Sequence, residues 1–297
     1  MSLRIGIDGG GSKTELILVD ETGAIIAQHI GPGCNPSLLG PDKARATLVD
    51  ALQHLLAKSP RPGVAVDATL LCMAGAPTFW QETSAGLTGY GRIVAVLDSL
   101  PVLELATAGG PGLVMHAGTG SFISARAPDG TVHYAGGLGW LFGDPGSGHD
   151  LGRRALARGL RELQGWAPRT ALGDRIRSYT GIEVYGAISR SFYTAADANA
   201  RIAGFTPHLL ELAQAGNEPA QQVLIESLTG LVEQGEVVTA RLFGNQATTC
   251  GVSGAILNHP AAAATLRNLV ASRSWAVSLS FITATPIEGV RRLLTRL

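Results

Sequence analysis

The residues best suited to chemistry come near the start of the chain, in Asp8-Gly9-Gly10-Gly11-Ser12-Lys13-Thr14. Three successive glycines leave backbone N–H groups unshielded, so these groups can donate hydrogen bonds to an anionic oxygen such as that of a phosphate. Asp8 can hold a hydrated Mg²⁺, and Thr14 can donate its hydroxyl. The segment is not a Walker A loop, because Gly11 is separated from Lys13 and a strand rather than a helix is predicted to follow. A hairpin that needs glycine only for its turn is the structural alternative.

A second glycine turn, Ala117-Gly118-Thr119-Gly120-Ser121, follows the apolar run Leu113-Val114-Met115-His116. It matches the first turn in kind, because each follows a predicted strand and leads into another. If the two turns belong to duplicated units, both can contact the phosphates of one nucleotide. Two unrelated structural turns are the alternative.

Asp98 is a candidate general base. It follows the apolar run 92–97, which predicts a buried strand, and ligands in open α/β sheets bind beyond the carboxyl ends of the strands. A carboxylate at that edge can accept a proton from an attacking hydroxyl group. Asp also caps helix amino termini, so capping of a following helix is an equal alternative.

Two further glycine-rich segments are candidate binding loops. The first runs Gly136-Gly137-Leu138-Gly139-Trp140-Leu141-Phe142-Gly143-Asp144-Pro145-Gly146-Ser147-Gly148-His149. Such a loop is costly in conformational entropy, so we expect it to shape a pocket in which Asp144 hydrogen-bonds a polyol, with a structural corner as the alternative. The second, Thr249-Cys250-Gly251-Val252-Ser253-Gly254-Ala255, predicts a strand, a glycine turn and a helix start that could receive an adenine or a ribose.

The elements that must position these residues follow from hydrophobic spacing. Before residue 100 we predict strands over 3–8, 15–19, 24–30, 65–73 and 92–97 and helices over 41–58 and 79–87. The same order of elements, which opens with three strands, then begins again, with strands over 113–116, 122–127 and 131–135. Helices follow from Gly148 to about 163, from Thr206 and from Asn217 to about 242, and then come a strand at 247–251, a helix at 261–271, a strand at 275–281 and a helix at 287–296. This repeat predicts two related α/β domains, the second with a helical insertion.

Composition excludes several classes of protein. The chain has 297 residues, 45% of them hydrophobic and 15% charged, which excludes a disordered chain or a small disulfide scaffold. Lys plus Arg and Asp plus Glu each number 23, so no general attraction to nucleic acid or to an acidic membrane is expected. Cys34, Cys72 and Cys250 are too far apart for a Cys-x-x-Cys site, and we expect a reduced, cytoplasmic protein. No signal-peptide core precedes Asp8, and no stretch of about 20 apolar residues predicts a membrane span.

Taken together, these segments resemble the sugar-kinase/heat-shock-chaperone/actin superfamily and, within it, the BadF/BadG/BcrA/BcrD ATPase family, which contains N-acetylglucosamine and glucosamine kinases. The similarity covers nearly the whole chain, and the motifs occur jointly and in order. They are Asp8 to Thr14 for the first phosphate motif, Gly118-Thr119-Gly120-Ser121 for the second, Gly143-Asp144-Pro145-Gly146-Ser147-Gly148 for the Gly-Asp-Glu-Gly-Ser-Gly segment, Gly251-Val252-Ser253 for the adenosine motif and Pro286-Ile287-Glu288-Gly289 for the closing Pro-x-x-Gly.

The resemblance implies two RNase H-like (actin-like ATPase) domains around an interdomain cleft that holds Mg-ATP. We expect residues 1–105 with 285–297 to form the first domain and 106–284 the second. Asp98 falls at the position of the general base on the sugar 6-hydroxyl, and Asp8 at that of a residue that holds Mg²⁺ through water. The implied nucleotide contacts are Gly9, Gly10, Gly11, Ser12, Lys13, Thr14, Gly118, Thr119, Gly120, Gly251 and Ser253, and the implied sugar contacts are Asn35, Thr119, Gly139 and Asp144.

The sequence departs from the family pattern at three places. Leu97-Asp98-Ser99 stands where Asn-Asp-Ala is usual, Leu138 replaces the Trp of Gly-Trp-Gly, and Pro145 replaces a Glu. The motifs therefore do not define the acceptor sugar. The repressor-like kinase family is disfavoured, because its zinc-binding cysteine cluster is absent from the sequence.

Three functions are compatible with these features. The leading hypothesis is a kinase that uses ATP and Mg²⁺ to phosphorylate the 6-hydroxyl of N-acetylglucosamine or glucosamine, without nucleic-acid or membrane partners, and a homodimer is compatible with it. The second is an ATP-driven activator of a partner enzyme. Resemblance to that branch of the family implies a dimer that shares an iron–sulfur cluster bound by cysteines, and Cys34, Cys72 and Cys250 are not arranged for such a cluster. The third is a nucleotide-dependent sensor without transfer activity, suggested by Leu97 and Leu138.

Overall fold

The computed structural model describes residues 2–244 and 246–297. None of the helices in this part of the chain is both long and apolar enough to cross a membrane. The strands are β1 (Leu3–Gly9), β2 (Lys13–Val19), β3 (Ile25–Pro32), β4 (Val66–Met73), β5 (Arg92–Leu97), β6 (Gly112–Ala117), β7 (Ser121–Arg126), β8 (Val132–Gly136), β9 (Thr248–Ser253) and β10 (Val277–Phe281). The helices are α1 (Pro36–Leu39), α2 (Pro41–Ala57), α3 (Pro77–Ala85), α4 (Ser99–Thr107), α5 (Gly148–Leu163), α6 (Ala171–Thr180), α7 (Tyr185–Thr194), α8 (Ala198–Gly204), α9 (Thr206–Gln214), α10 (Glu218–Phe243), α11 (Pro260–Ser272) and α12 (Pro286–Leu294).

The residues group into two compact units, each built on one five-stranded mixed sheet. The first unit comprises residues 1–109 and 284–297, and the second comprises 110–283. In the first sheet the strand order is β3-β2-β1-β4-β5, with β1 antiparallel to β2 and parallel to β4. The second sheet has the order β8-β7-β6-β9-β10, with β6 antiparallel to β7 and parallel to β9. The identical order and directions confirm the predicted repeat.

Helices cover both faces of the first sheet. Leu48 and Leu52 of α2 are fully buried in the core on one face. Val290 and Leu294 of α12 pack in a separate core on the other face, so the end of the chain belongs to the first unit. Gly6 in β1 allows α12 to come close, because a Cβ at this position would lie only 2.6 Å from Val290 Cγ1.

Six helices, α5 to α10, form the insertion between β8 and β9 of the second unit. The apolar spacing predicts α5, α9 and α10, whose buried side chains recur at helical intervals. It misses α6, α7 and α8. Of these, α7 buries only Ile188 and α8 buries no residue, so no apolar stripe marks them in the sequence. The short helices α1 and α4 were missed as well.

Candidate functional site

The first glycine turn, which joins β1 to β2, is fixed by its neighbours but exposes two amides. Gly10 donates its amide to the carbonyl oxygen of Lys13 at 2.9 Å. A Cβ on Gly33 would collide with the carbonyl group of Gly11, so the chain after β3 packs directly against the turn. Gly11 and Ser12 are exposed, and their amides donate to no other residue in the described part of the chain. The turn therefore presents two N–H groups that an anionic oxygen can accept.

Two partly buried carboxyl groups lie at one edge of the first sheet. Asp8 in β1 pairs with Cys72 in β4, and Cys72 pairs with Val96 in β5, two residues before Asp98. Burial, with the negative charge of Asp98, raises the pKa of Asp8 to about 7. Burial raises the pKa of Asp98 to about 6, although the backbone amides of Asp98 and Ser99 favour its charged form. The two side chains thus share one environment in which ionisation is costly.

The Asp98 side chain does not cap the helix that follows it. Asp98 immediately precedes α4, but its carboxylate accepts no capping hydrogen bond from that helix. The capping alternative is therefore wrong, and α4 begins without a side-chain cap.

The side chains of Lys13 and Thr14, which follow the turn, already make hydrogen bonds within the protein. Lys13 Nζ donates to Glu15 Oε2 at 2.8 Å, and Gln28 Nε2 donates to the other oxygen of the same carboxylate at 2.7 Å. Glu15 is only 5% exposed, so it anchors the lysine at the base of the turn. Thr14 is fully buried, and its hydroxyl donates to Cys34 Sγ at 3.0 Å. The Thr14 hydroxyl is therefore buried and already donates a hydrogen bond within the protein.

Asn35 is held in place while its amide hydrogens stay free. It caps α1, since its Oδ1 accepts a hydrogen bond from Ser37 N at 2.9 Å. Gly75, with φ of +101°, approaches so closely that a Cβ there would lie 3.2 Å from this oxygen. Within the described residues the Asn35 Nδ2 group has no partner. Its two N–H donors can therefore bind a ligand oxygen.

The second glycine turn, which joins β6 to β7, repeats the pattern of the first. Gly118 donates its amide to the Gly120 carbonyl at 2.8 Å and accepts the amide of Gly148 at 2.8 Å. Thr119 and Gly120 are exposed, and neither amide donates to another residue among those that the structure describes. The turn is therefore joined to the start of α5 and presents two more free N–H groups.

Asp144 packs against this second turn. It is 6% exposed, and its Oδ1 accepts a hydrogen bond from Gly139 N at 3.1 Å. A Cβ on Gly120 would lie 3.0 Å from Asp144 Oδ2, so the carboxylate touches the turn. Burial raises the pKa of Asp144. The structure thus brings together the predicted residues Gly118, Thr119, Gly120, Gly139 and Asp144.

Sequence reasoning missed two residues that support the segment 143–148. Gly146 donates its amide to Ser227 Oγ at 2.9 Å, and Ser227 donates to Asp150 Oδ2 at 2.7 Å. Asp150 N in turn donates to Ser147 Oγ, the cap of α5, at 3.2 Å. Ser227 lies on α10 without a motif around it, so no sequence signal could have linked it to this loop.

The predicted turn at 251–254 is wrong in position. Gly251 lies inside β9, where it pairs with Val114 on one side and Ser280 on the other. Ser253 is the buried last residue of β9. The turn begins at Gly254, whose φ of +95° and close approach to the end of β6 exclude a side chain. Gly251 therefore packs within the sheet.

The cysteines and other potential metal ligands are dispersed. Cys34, Cys72 and Cys250 are all free and buried, and burial raises the pKa of each thiol. A buried, protonated thiol is a poor nucleophile and metal ligand. Among residues 2–244 and 246–297, no group of three or more His, Cys, Asp or Glu side chains is arranged to hold a metal ion.

Several known proteins are similar to this chain in sequence or in fold. A model of the BadF/BadG/BcrA/BcrD ATPase family matches residues 5–290. An N-acetyl-D-glucosamine kinase from Dictyostelium discoideum is 26% identical over 244 residues, which is 77% of this chain and 76% of that protein. An N-acetylmuramic acid/N-acetylglucosamine kinase from Clostridium acetobutylicum is 24% identical over 269 residues, 87% of each chain. A crystal structure from Chromobacterium violaceum, provisionally named an N-acetylglucosamine kinase, has a TM-score of 0.78 at 23% identity and 99% coverage of both chains.

Proposed function

Because the chain belongs to the BadF/BadG/BcrA/BcrD ATPase family, we propose that it is a kinase that transfers the γ-phosphoryl group of ATP to the 6-hydroxyl of an amino sugar. The acceptors we propose are N-acetylglucosamine and glucosamine. Two relatives named as kinases of N-acetylglucosamine, which align over most of this chain, support that choice. ATP, with Mg²⁺, is the cofactor of the family.

The observation that carries the proposal is the state of Asp98. Its carboxyl is partly buried at the carboxyl edge of the first sheet, its pKa is raised to about 6, and it caps no helix. A general base is most effective when its pKa lies near the working pH, because it is then largely ionised and still basic. Asp98 is therefore suited to take the proton of the attacking hydroxyl, a contribution of about 10²–10⁴ in rate.

The remaining groups are suited to binding. The free amides of Gly11, Ser12, Thr119 and Gly120 are donors for phosphate oxygens, and phosphoryl transfer depends chiefly on such alignment and charge neutralisation. The free N–H donors of Asn35 and the oxygens of Asp144 are suited to sugar hydroxyl or acetamido groups. Each of these contacts is part of the proposal.

Asp8 is suited to holding Mg²⁺ through water. Its carboxyl is buried with a pKa of about 7, and the nearby Lys13 ammonium is hydrogen-bonded to Glu15 rather than to it. A buried carboxylate of this kind is stabilised by a divalent cation, and Mg²⁺ prefers oxygen ligands and keeps several waters. When bound, the cation neutralises charge on the phosphate oxygens.

A coupled ADP-release assay against hexoses, hexosamines and N-acetylhexosamines tests the proposal. We expect an amino sugar to stimulate ADP release and Asp98→Asn to lower kcat by about 10²–10⁴ while ATP binding is kept. Asp67→Asn is the matched control, because Asp67 is an exposed residue of β4 in the same sheet. Turnover of Asp98→Asn like that of the wild type would contradict the assignment.

The same panel separates the proposal from a sensor without transfer activity. If ATP raises thermal stability but no sugar increases ADP release, the chain binds nucleotide without transferring phosphate, and the kinase proposal fails.

A further inference from the structure

Four arginines lie on one face of α5. At about 100° per residue their positions fall within about 140° of the helix circumference. Together with α10 they line a groove of about 230 Å³. The charged residues of this arginine groove are Arg153, Arg154, Arg158, Arg161 and Glu226.

The arginine groove has more positive charge than its own carboxylates neutralise. Arg154 Nε donates to both oxygens of Asp150 at 2.9 Å. Glu226 is farther away, 3.9 Å from Arg154 Nη1 and 3.7 Å from Arg158 Nη1, which is beyond hydrogen-bonding distance. The Arg161 side chain pairs with no residue that the structure describes. Four guanidinium groups against the carboxylates of Asp150 and Glu226 leave an excess of two positive charges.

We propose that the arginine groove binds a small phosphomonoester dianion. Guanidinium groups present planar pairs of N–H donors that match phosphate oxygens, and the excess charge of two matches a phosphate dianion. A volume of about 230 Å³ is close to that of eight water molecules at about 30 Å³ each, enough for a phosphate group and a small organic part. The ligand chemistry is that of inorganic phosphate or of a sugar phosphate.

Hydrogen bonds connect the arginine groove to the loop that carries Asp144. Arg153 Nη2 donates to Asp150 Oδ1 at 3.1 Å, and the Arg153 side chain is 56% exposed. Asp150 accepts from Ser227 Oγ, which accepts from Gly146 N. Arg154, which also lines the groove, donates to both oxygens of Asp150, so an anion in the groove competes with Asp150 for the donors of Arg153 and Arg154. Once these donors are withdrawn, Asp150 no longer fixes Ser227 Oγ as the acceptor of Gly146 N, so binding loosens the segment 143–148 and gives the proposed groove a regulatory role.

Titration calorimetry with inorganic phosphate, and separately with glucosamine 6-phosphate, tests the binding site. No ATP or sugar is present, so the result is independent of the proposed kinase activity. Replacing both Arg158 and Arg161 with Ala is expected to weaken binding about 10-fold or more. The control is Arg190→Ala with Arg241→Ala, which removes the same charge from exposed arginines of the same unit that pair with no described side chain, and which should bind like the wild type.

The outcomes of this titration are decisive. Equal losses in the two double variants, or no wild-type binding up to about 10 mM, would overturn the site. Tighter binding of glucosamine 6-phosphate than of phosphate, lost in the groove variant, identifies a sugar phosphate as the ligand; equal affinities identify phosphate itself. Thermal unfolding without ligand verifies that both variants are folded.

Amide hydrogen exchange tests the link to the loop. Phosphate is expected to accelerate exchange in the segment 143–150 of the wild type, because Gly146 N loses its fixed acceptor, and to have no effect in the Arg158→Ala/Arg161→Ala variant. Unchanged exchange in the phosphate-bound wild type would refute the regulatory role. An equal change in the groove variant would show that phosphate acts elsewhere.

Discussion

Asp98→Asn is expected to remove activity and yet stabilise the folded protein at neutral pH. In the folded state the carboxyl has a pKa of about 6, against an ordinary value of 3.8. The folded state therefore holds its proton more tightly than the unfolded state between these pH values. Its stability falls as pH rises through this window, and the full penalty of the buried charge is present above about pH 6.

The size of the effect follows from the pKa difference. About two pH units, at about 1.4 kcal/mol per unit, correspond to a penalty of about 3 kcal/mol. Asn has nearly the same shape as Asp, but its amide group also costs free energy to bury. We therefore expect Asp98→Asn to increase the free energy of unfolding by about 1–3 kcal/mol at pH 7.5.

Urea unfolding of the wild type, Asp98→Asn and Asp67→Asn between pH 4 and 8 measures this difference. The gain of Asp98→Asn should shrink as pH falls from 6 towards 4, because the wild-type carboxyl is then protonated and uncharged. Asp67→Asn removes one carboxylate from an exposed position of the same sheet and is the control for the loss of charge. An Asp98→Asn variant less stable than the wild type at pH 7.5 would refute the reasoning, because the carboxylate would then be a structural group.

Three shorter predictions concern Asp98, Glu15 and Arg296 of the first unit. The wild-type kcat/KM should fall about tenfold per pH unit below about pH 6 as Asp98 protonates, whereas a flat profile would exclude it as the base. Glu15→Gln should raise the KM for ATP about two- to fivefold, with the KM for sugar unchanged, because Lys13 loses its anchor at 2.8 Å. Arg296→Ala should lower the free energy of unfolding in urea by about 3 kcal/mol, because the buried Glu104 carboxylate loses two hydrogen bonds. Glu104→Gln should lower it by less, since the Arg296 side chain is 51% exposed and can turn to water.

Local patterns were enough to predict the sheets and the glycine turns. Alternating or continuous apolar runs of strand length fix β1 to β10 to within a few residues, because the side-chain period of a strand is visible in the sequence. The repeat of strand, glycine turn and strand then predicts two units of one topology, which the identical strand orders confirm. The resemblance implies Gly120 as a nucleotide contact and Gly139 and Asp144 as sugar contacts, and in the structure both glycines touch the Asp144 carboxylate.

Interactions that depend on packing between distant segments could not be predicted from the sequence. Gly251 looks like a turn residue, but its position is decided by pairing with Val114 and Ser280 on neighbouring strands. Thr14 was assigned to the ligand from its place after the glycines, whereas Cys34 occupies the space beside it and accepts its hydroxyl. The support from Ser227 requires a contact between residues 81 positions apart.

Comparison of the two sheets indicates why the acid–base chemistry is assigned to the first unit. Asp8 precedes the first glycine turn, and His116 holds the corresponding place in β6. Burial lowers the pKa of His116 to about 4, so that position is neutral at pH 7 and cannot attract a cation. Counted along the paired strands, Ala284 holds the place that Asp98 has beyond β5. This edge of the first sheet thus carries the two titrating carboxyl groups of Asp8 and Asp98, whereas the corresponding positions of the second sheet carry none. We therefore expect Asp8→His, which makes the first unit like the second, to abolish the Mg²⁺ dependence of nucleotide binding, whereas His116→Asn should leave it intact.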